Sequence, residues 1–326
     1  MTKTSPPLDP LNTAVLFLVF NRPETTVRAL KAIRKAKPLR LYVAADGPRK
    51  EREGEPERVA KTREIATAVD WPCEVKKLFR KDNLGCKNAV SSAITWFFEH
   101  EEQGIIIEDD CVAHPDFFTF CDGLLERYAE DERVWVVTGN NFQDGRKHGD
   151  SSYYFSKYNH CWGWATWRRA WQHYQGDLPF WPQWQDSNDW LKKTPDQLER
   201  RYWNTIFDQV MAGAIDSWAY LWTANVWHGG GLTATPNANL VTNIGFGPDA
   251  THTLTATEQD GVPTQPLGPL THPSLIEQDR HADQYVFDHH FGGIHQRLHR
   301  RMIDLPKRII RFALRIIRRR SEKPLI

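Results

Sequence analysis

Four times within its first 110 residues the chain passes from a short strand-like run into a polar or amphipathic stretch. The runs are 14–20 (A-V-L-F-L-V-F), 39–45, 73–79 and 104–107. The first, fully apolar, reads as a buried strand, and the others read as further strands. A helix is expected to start near Pro23, with Glu24 in its first turn. An exposed, charged helix is expected over 50–70 and another helix over 86–100. Strand alternating with helix predicts an α/β fold, a parallel sheet with helices on both faces. Further along, the pattern predicts a helix at 115–128, strands at 134–138 and 153–155, an aromatic helix at 162–171 and a helix at 198–211. Residues 229–273, rich in Gly, Pro, Thr and Asn, are expected to be mostly loop.

The strand ends carry the chemistry. The fourth run goes straight from Ile105-Ile106-Ile107 into Glu108-Asp109-Asp110. Three adjacent carboxylates repel one another and resist burial. A hard divalent cation, Mg²⁺ or Mn²⁺, offsets that repulsion and commonly bridges to phosphates. The alternative is one helix cap and two solvated acids. Asn21-Arg22 and Asp46-Gly47 also fall at strand C-termini, where parallel sheets bind ligands. Arg22 is a candidate to contact a nucleotide, or else forms a surface salt bridge. Asp46 is a candidate acceptor for a base or ribose, or else simply forms the Asp-Gly-Pro turn.

Composition narrows the setting. Five cysteines form no C-x-x-C pair, which predicts reduced thiols in a cytosolic protein with neither a disulfide frame nor structural zinc. The first residues lack a signal-peptide pattern, and no apolar run reaches the length of a membrane span. The 14 tryptophans imply a thick core or flat binding surfaces. Net charge is +1, yet residues 297–326 hold 11 Lys/Arg against 2 acids, +9, leaving the rest at −8.

Several segments in order resemble the GT-A fold glycosyltransferases. The likeness is to the N-acetylglucosaminyltransferase I family, which starts complex N-glycans, and to bacterial family-2-like glycosyltransferases. The segments are F-N-R-P (20–23), A-D-G-P (45–48), I-I-E-D-D-C-V-A-H-P-D-F-F (106–118), R-V-W-V-V-T-G-N-N (133–141), W-G-W-A-T-W-R-R-A-W (162–171), D-S-W (216–218) and N-I-G-F-G (243–247). The resemblance implies a Rossmann-like, mostly parallel sheet with an irregular acceptor-side half. It implies that Asp110 is the protein ligand of Mn²⁺, and that Glu108, Asp109, Arg22 and Asp46 hold a nucleoside-diphosphate sugar, with UDP-GlcNAc suggested. The acceptor, a glycan or lipid-linked hydroxyl, would lie near Trp162 and Asn140.

The family's base lies in an Asp-Asp-Trp sequence. Here the stretch is Asp216-Ser217-Trp218, so Asp216 is the expected base, with a helix N-cap as its alternative role and Asp208 as a substitute. The loop 243–252 matches one that closes over donor, with Gly245 and Gly247 as hinges. His252 then contacts the diphosphate or is an ordinary loop histidine. Trp164, Trp167 and Trp171 form a helix-spaced stripe that reads as core, while Gly163 signals a close backbone approach.

The expected organisation is a nucleotide-sugar-binding half (1–140), an acceptor-side half of the same domain (141–291) and a basic amphipathic helix (292–326). That helix suits an anionic membrane surface, placing a cytoplasmic enzyme on the inner face of the membrane. Docking on the acidic body is the alternative. Nucleic acid is not expected, because no aromatic platform accompanies the arginines. Two other functions stay open: nucleotidyl transfer, disfavoured by the lack of a glycine-rich loop after the first strand, and a non-catalytic, membrane-active sugar-binding protein.

Overall fold

The computed structural model describes residues 10–245 and 261–297. It begins with four strands alternating with three helices: β1 (Val15–Val19), α1 (Pro23–Ala36), β2 (Arg40–Ala45), α2 (Glu55–Ala66), β3 (Glu74–Phe79), α3 (Gly85–His100) and β4 (Gln103–Glu108). Next come β5 (Cys111–Ala113), α4 (Pro115–Arg127), β6 (Val134–Thr138), β7 (Tyr153–Ser156) and β8 (Trp164–Trp167). Short helices α5 (Arg168–Trp171), α6 (Trp181–Trp184) and α7 (Asn188–Lys193) lead to α8 (Gln197–Met211) and α9 (Trp218–His228). β9 (Leu232–Pro236), β10 (Val241–Asn243) and α10 (Arg280–His289) complete the described elements.

Eight strands form one sheet in the order β3-β2-β1-β4-β8-β6-β9-β7. The pairs β1–β2, β2–β3, β1–β4 and β6–β9 are parallel, whereas β8 and β7 run antiparallel to their neighbours. The molecule is therefore an α/β protein with a mostly parallel sheet between helical layers. The apolar runs explain why. Val15, Phe17 and Val19 join the core under α1 and α4, while Ala14, Leu16 and Leu18 join the core under α3 and α9. Ile105 and Ile107 face one core and Ile106 the other. Burying each is worth about 1.5–3 kcal/mol, which anchors β4 firmly below its acidic end.

The chain builds β1, β2 and β3 outward, then returns β4 to the other side of β1. That reversal opens a crevice between the ends of β1 and β4.

Two expectations are corrected. Residues 162–171 are not one helix. Trp164–Trp167 is a strand held between β4 and β6, and only the four residues of α5 are helical. Trp164 and Trp167 consequently enter opposite cores, although both, with Trp171, are buried. Pairing along both strand edges outweighs the helical spacing of the rings. The described part of 229–273 is mostly loop, as expected, but Leu232–Pro236 is a strand that fills the gap between β6 and β7. Its buried Thr and Ala residues need no long apolar run, because the strand is enclosed on both edges. The expected helix over 50–70 shortens to α2, entered from Gly54. Among the described residues no helix is long and apolar enough to cross a membrane. The basic tail from residue 298 onward lies outside the described residues.

Candidate functional site

A cavity of about 700 Å³ opens at the carboxyl ends of β1, β2 and β4. Arg22, Asp46, Glu108, Asp109 and Asp216 all line it. The sheet thus gathers five of the sequence-identified candidates from four separate segments.

At the reversal point, Arg22 Nη1 lies 2.7 Å from Asp110 Oδ2 and 3.6 Å from Asp109 Oδ1. Arg22 stands there because α1 starts one residue later, with Pro23 at its first position. Burial works against its charge, but Asp109, Asp110 and Glu108 overcome that, so its pKa lies above the ordinary arginine value. Asp109 Oδ2 also accepts a hydrogen bond from the Phe20 backbone N–H at 3.0 Å, stitching the end of β4 to the end of β1. Burial, reinforced by Asp110, pushes Asp109 above the usual carboxylate range despite Arg22. Burial, with Asp110 and Asp109 nearby, pushes Glu108 up as well. Three carboxylates face one guanidinium, so this corner is short of positive charge.

Asp110 is held from a second side. The Ile244 N–H donates to its backbone carbonyl at 2.8 Å, and β10 pairs with β5 immediately after it. A Cβ on Gly245 would fall 2.1 Å from Asp110 Oδ2, so only glycine permits this approach. Among the described residues no three His, Cys, Asp or Glu side chains converge to cage a metal ion. The donors at hand are hard carboxylate oxygens with negative charge to spare. They fit a divalent cation that takes most of its ligands from a bound phosphate rather than from the protein.

Asp46 does a different job. Its carboxylate accepts from the N–H groups of Gly47 (2.9 Å), Leu84 (3.0 Å) and Gly85 (3.1 Å) and from Asn83 Nδ2 (3.0 Å). It docks the N-terminus of α3 onto the end of β2 and shapes the cavity wall. Burial raises its pKa, and those backbone donors oppose the rise.

Asp216 is exposed at the cavity rim, just before α9. The helix N-cap is Ser217, whose Oγ accepts from the Tyr220 N–H, so Asp216 is not the cap. Asp208, the substitute, accepts from Trp181 Nε1 at 2.8 Å and serves packing. Asn140 and Trp162 do not line the cavity but are joined: the Trp162 N–H donates to Asn140 Oδ1 at 3.1 Å, and Asn140 Nδ2 donates to the Val241 carbonyl at 3.3 Å. Gly163, at φ +73°, then brings the backbone against Val241. His252 and Gly247 lie outside the described residues.

No family model matches this chain, and no curated protein matches it. Among solved structures it is similar to HddC from Yersinia pseudotuberculosis, at 11% identity and a TM-score of 0.31, over 52% of this chain and 85% of that one. A likeness that distant carries no argument about function.

Sequence reasoning missed part of the wall. Glu55 is buried and accepts from Asn21 Nδ2 (2.8 Å) and the Arg49 N–H (2.6 Å), and pairs with the Arg49 side chain. Arg63 Nη2 donates to the Asp46 and Arg80 carbonyls, joining the ends of β2 and β3. In sequence these residues sit in a uniformly charged stretch, with nothing to separate them from solvated neighbours. Cys86 also faces the cavity. Burial, with Glu108 and Asp216 nearby, pushes its thiol up to about 12, which makes it a poor nucleophile.

Proposed function

We propose that this protein is a glycosyltransferase of the GT-A fold. It moves a sugar from a nucleoside-diphosphate sugar to a hydroxyl acceptor, by an inverting displacement that uses Mn²⁺ or Mg²⁺. One observation carries the reading. The ends of β1, β2 and β4 deliver Arg22, Asp46, Glu108 and Asp109 to a single cavity where the strand order reverses, with Asp110 paired to Arg22 beside it.

In this reading Asp110 is the protein ligand of the cation, and a bound cation supplies charge to offset the leaving diphosphate. Arg22, already 2.7 Å from Asp110, holds the diphosphate against the acids. Glu108 and Asp109 orient the donor, and Asp46 keeps the wall around it rigid. Asp216 is exposed at the rim and has no hydrogen-bond or ion-pair partner among the described residues, so it is free to act as base. It takes the proton of the acceptor hydroxyl as that oxygen bonds to the sugar's anomeric carbon and the bond to diphosphate breaks on the opposite face. The resemblance suggests UDP-GlcNAc as donor and a glycan or lipid-linked acceptor, and the basic, amphipathic sequence of 292–326 suits an anionic membrane surface. His252 would join the donor loop.

A thermal-shift panel of UDP-, GDP-, dTDP- and CMP-sugars, with and without Mn²⁺, tests the reading. One nucleotide class should stabilise the protein by about 2.7 kcal/mol at a hundredfold excess over Kd, and only with the cation. No shift with any nucleotide sugar overturns the proposal, and an equal shift without cation overturns the metal's part in it.

A further inference from the structure

A belt of partly exposed aromatic rings runs away from the acid cluster. Trp162 lies 6.5 Å from His290 between ring centroids, His290 lies 4.7 Å from Phe291, and Phe291 lies 5.7 Å from Tyr202. Tyr220 joins them through Trp203, whose ring lies 6.1 Å from Tyr220 and 5.1 Å from Phe291. All five rings are partly exposed, whereas the tryptophans behind them, such as Trp203 and Trp227, are fully buried. They come from four places: the turn before β8, the end of α10, the middle of α8 and the first turn of α9.

The belt is continuous with the site. Tyr220 is four residues beyond Asp216, at the same end of α9. Trp162 is held rigidly, its N–H on Asn140 and its neighbour Gly163 against Val241. Fixed rings with polar edges (the Tyr hydroxyls and an imidazole) match the surface of a pyranose, whose one face is C–H and whose rim is hydroxyl. A lipid chain would call for aliphatic side chains instead.

We propose that this belt is an acceptor platform on which a pyranose ring lies face-on, with Trp162 and Tyr220 as its principal stacking surfaces. The inference rests on the glycosyl-transfer reading for the word acceptor, but saccharide binding can be tested alone.

Saturation-transfer NMR on the full chain supplies the test. The probes are methyl β-glycosides of N-acetylglucosamine, glucose, galactose and mannose, with uridine and guanosine as controls. At least one glycoside should saturate, chiefly through the C–H protons of one ring face. Trp162→Ala and Tyr220→Ala, checked for cooperative melting, should lose the signal at least fivefold, and Trp162→Phe and Tyr220→Phe should retain it. A second measurement avoids the alanine variants: that glycoside should shield tryptophan fluorescence from acrylamide in the wild type, and the shielding should vanish in Trp162→Phe. Saturation of nucleosides alone, of nothing, or equally in folded alanine variants overturns the platform, as does an absence of shielding. If glycosides bind while the nucleotide-sugar thermal shift is absent, glycosyl transfer fails and the platform stands. The converse result removes the platform alone.

Discussion

Four aspartates, three lining the cavity and Asp110 paired to Arg22 beside it, do four different things, and their surroundings decide which. Asp46 is saturated by protein donors, so its loss is a stability matter. Asp46→Ala should lower the unfolding free energy in urea by about 2–3 kcal/mol, because three backbone N–H groups lose their acceptor. Asp109 is tied to Phe20, while Asp110 faces Arg22 across 2.7 Å. Asp110→Asn should abolish cation-dependent donor binding in the thermal-shift assay while the protein still melts cooperatively. Asp216 stands free at the rim. Asp216→Asn should reduce kcat by about 10²–10⁴ with donor affinity little changed, as single-turnover kinetics against donor titration would show. A matching loss of donor affinity would mean that Asp216 binds the donor instead. The sequence reading made all four candidates, Asp46, Asp109 and Asp110 because they follow strand runs and Asp216 because the resemblance places the base there. It could not separate a donor-saturated carboxylate from a free one, since Asn83, Leu84 and Gly85 reach Asp46 only through the packing of α3.

At the scale of elements, the E-D-D cluster is held by what surrounds β4 and β5. The isoleucines below it are locked into two cores, and β10 clamps β5 just beyond it. The clamp depends on Gly245. Gly245→Ala puts a Cβ where Asp110 Oδ2 stands, so stability should fall by about 1–3 kcal/mol and the Mn²⁺-dependent donor shift should shrink with it. An unchanged donor shift would mean that the 243–245 segment does not govern Asp110. The β8 strand teaches a different lesson. Its rings repeat at three and four residues, as helix rings do, but β4 and β6 present two open edges and the segment fills them. The strand β9 hides for the opposite reason, since Thr-Ala-Thr has too little apolar surface to announce a buried strand.

At the scale of the whole molecule, two half-buried imidazoles meet on one ring and tie residues 141–291 together. His290 stacks on Phe142 at 4.0 Å, and His160 meets the same ring at 4.5 Å. Burial lowers both, His160 well below the ordinary histidine range and His290 to about 4, with Asp144 opposing the fall at His290. A depressed folded-state pKa means that the stabilising contribution is fully present above the unfolded value, about 6.5, and is lost as pH falls toward the folded value. His290 alone accounts for about 3 kcal/mol between those limits. Asp283 runs the other way: burial raises it to about 6, so its contribution is lost as pH rises through that value. Urea midpoints from pH 7 to pH 4 should fall in the wild type and flatten in His290→Phe. Parallel slopes in the two proteins would remove the imidazole from the explanation.

The sequence by itself determined the α/β class, the first four strands and the acids at their ends. An apolar run that must be buried on both faces has one economical home, the interior of a sheet, and the residue after it must lie at the sheet's edge. Only the tertiary structure decided that β4 returns beside β1, which sets Arg22 against Asp110. Only packing buried Glu55 in a charged stretch, turned an aromatic helix pattern into β8, and aligned rings from four segments into one belt. Those outcomes depend on which surfaces meet, and contacts between residues about a hundred positions apart leave no local pattern to read.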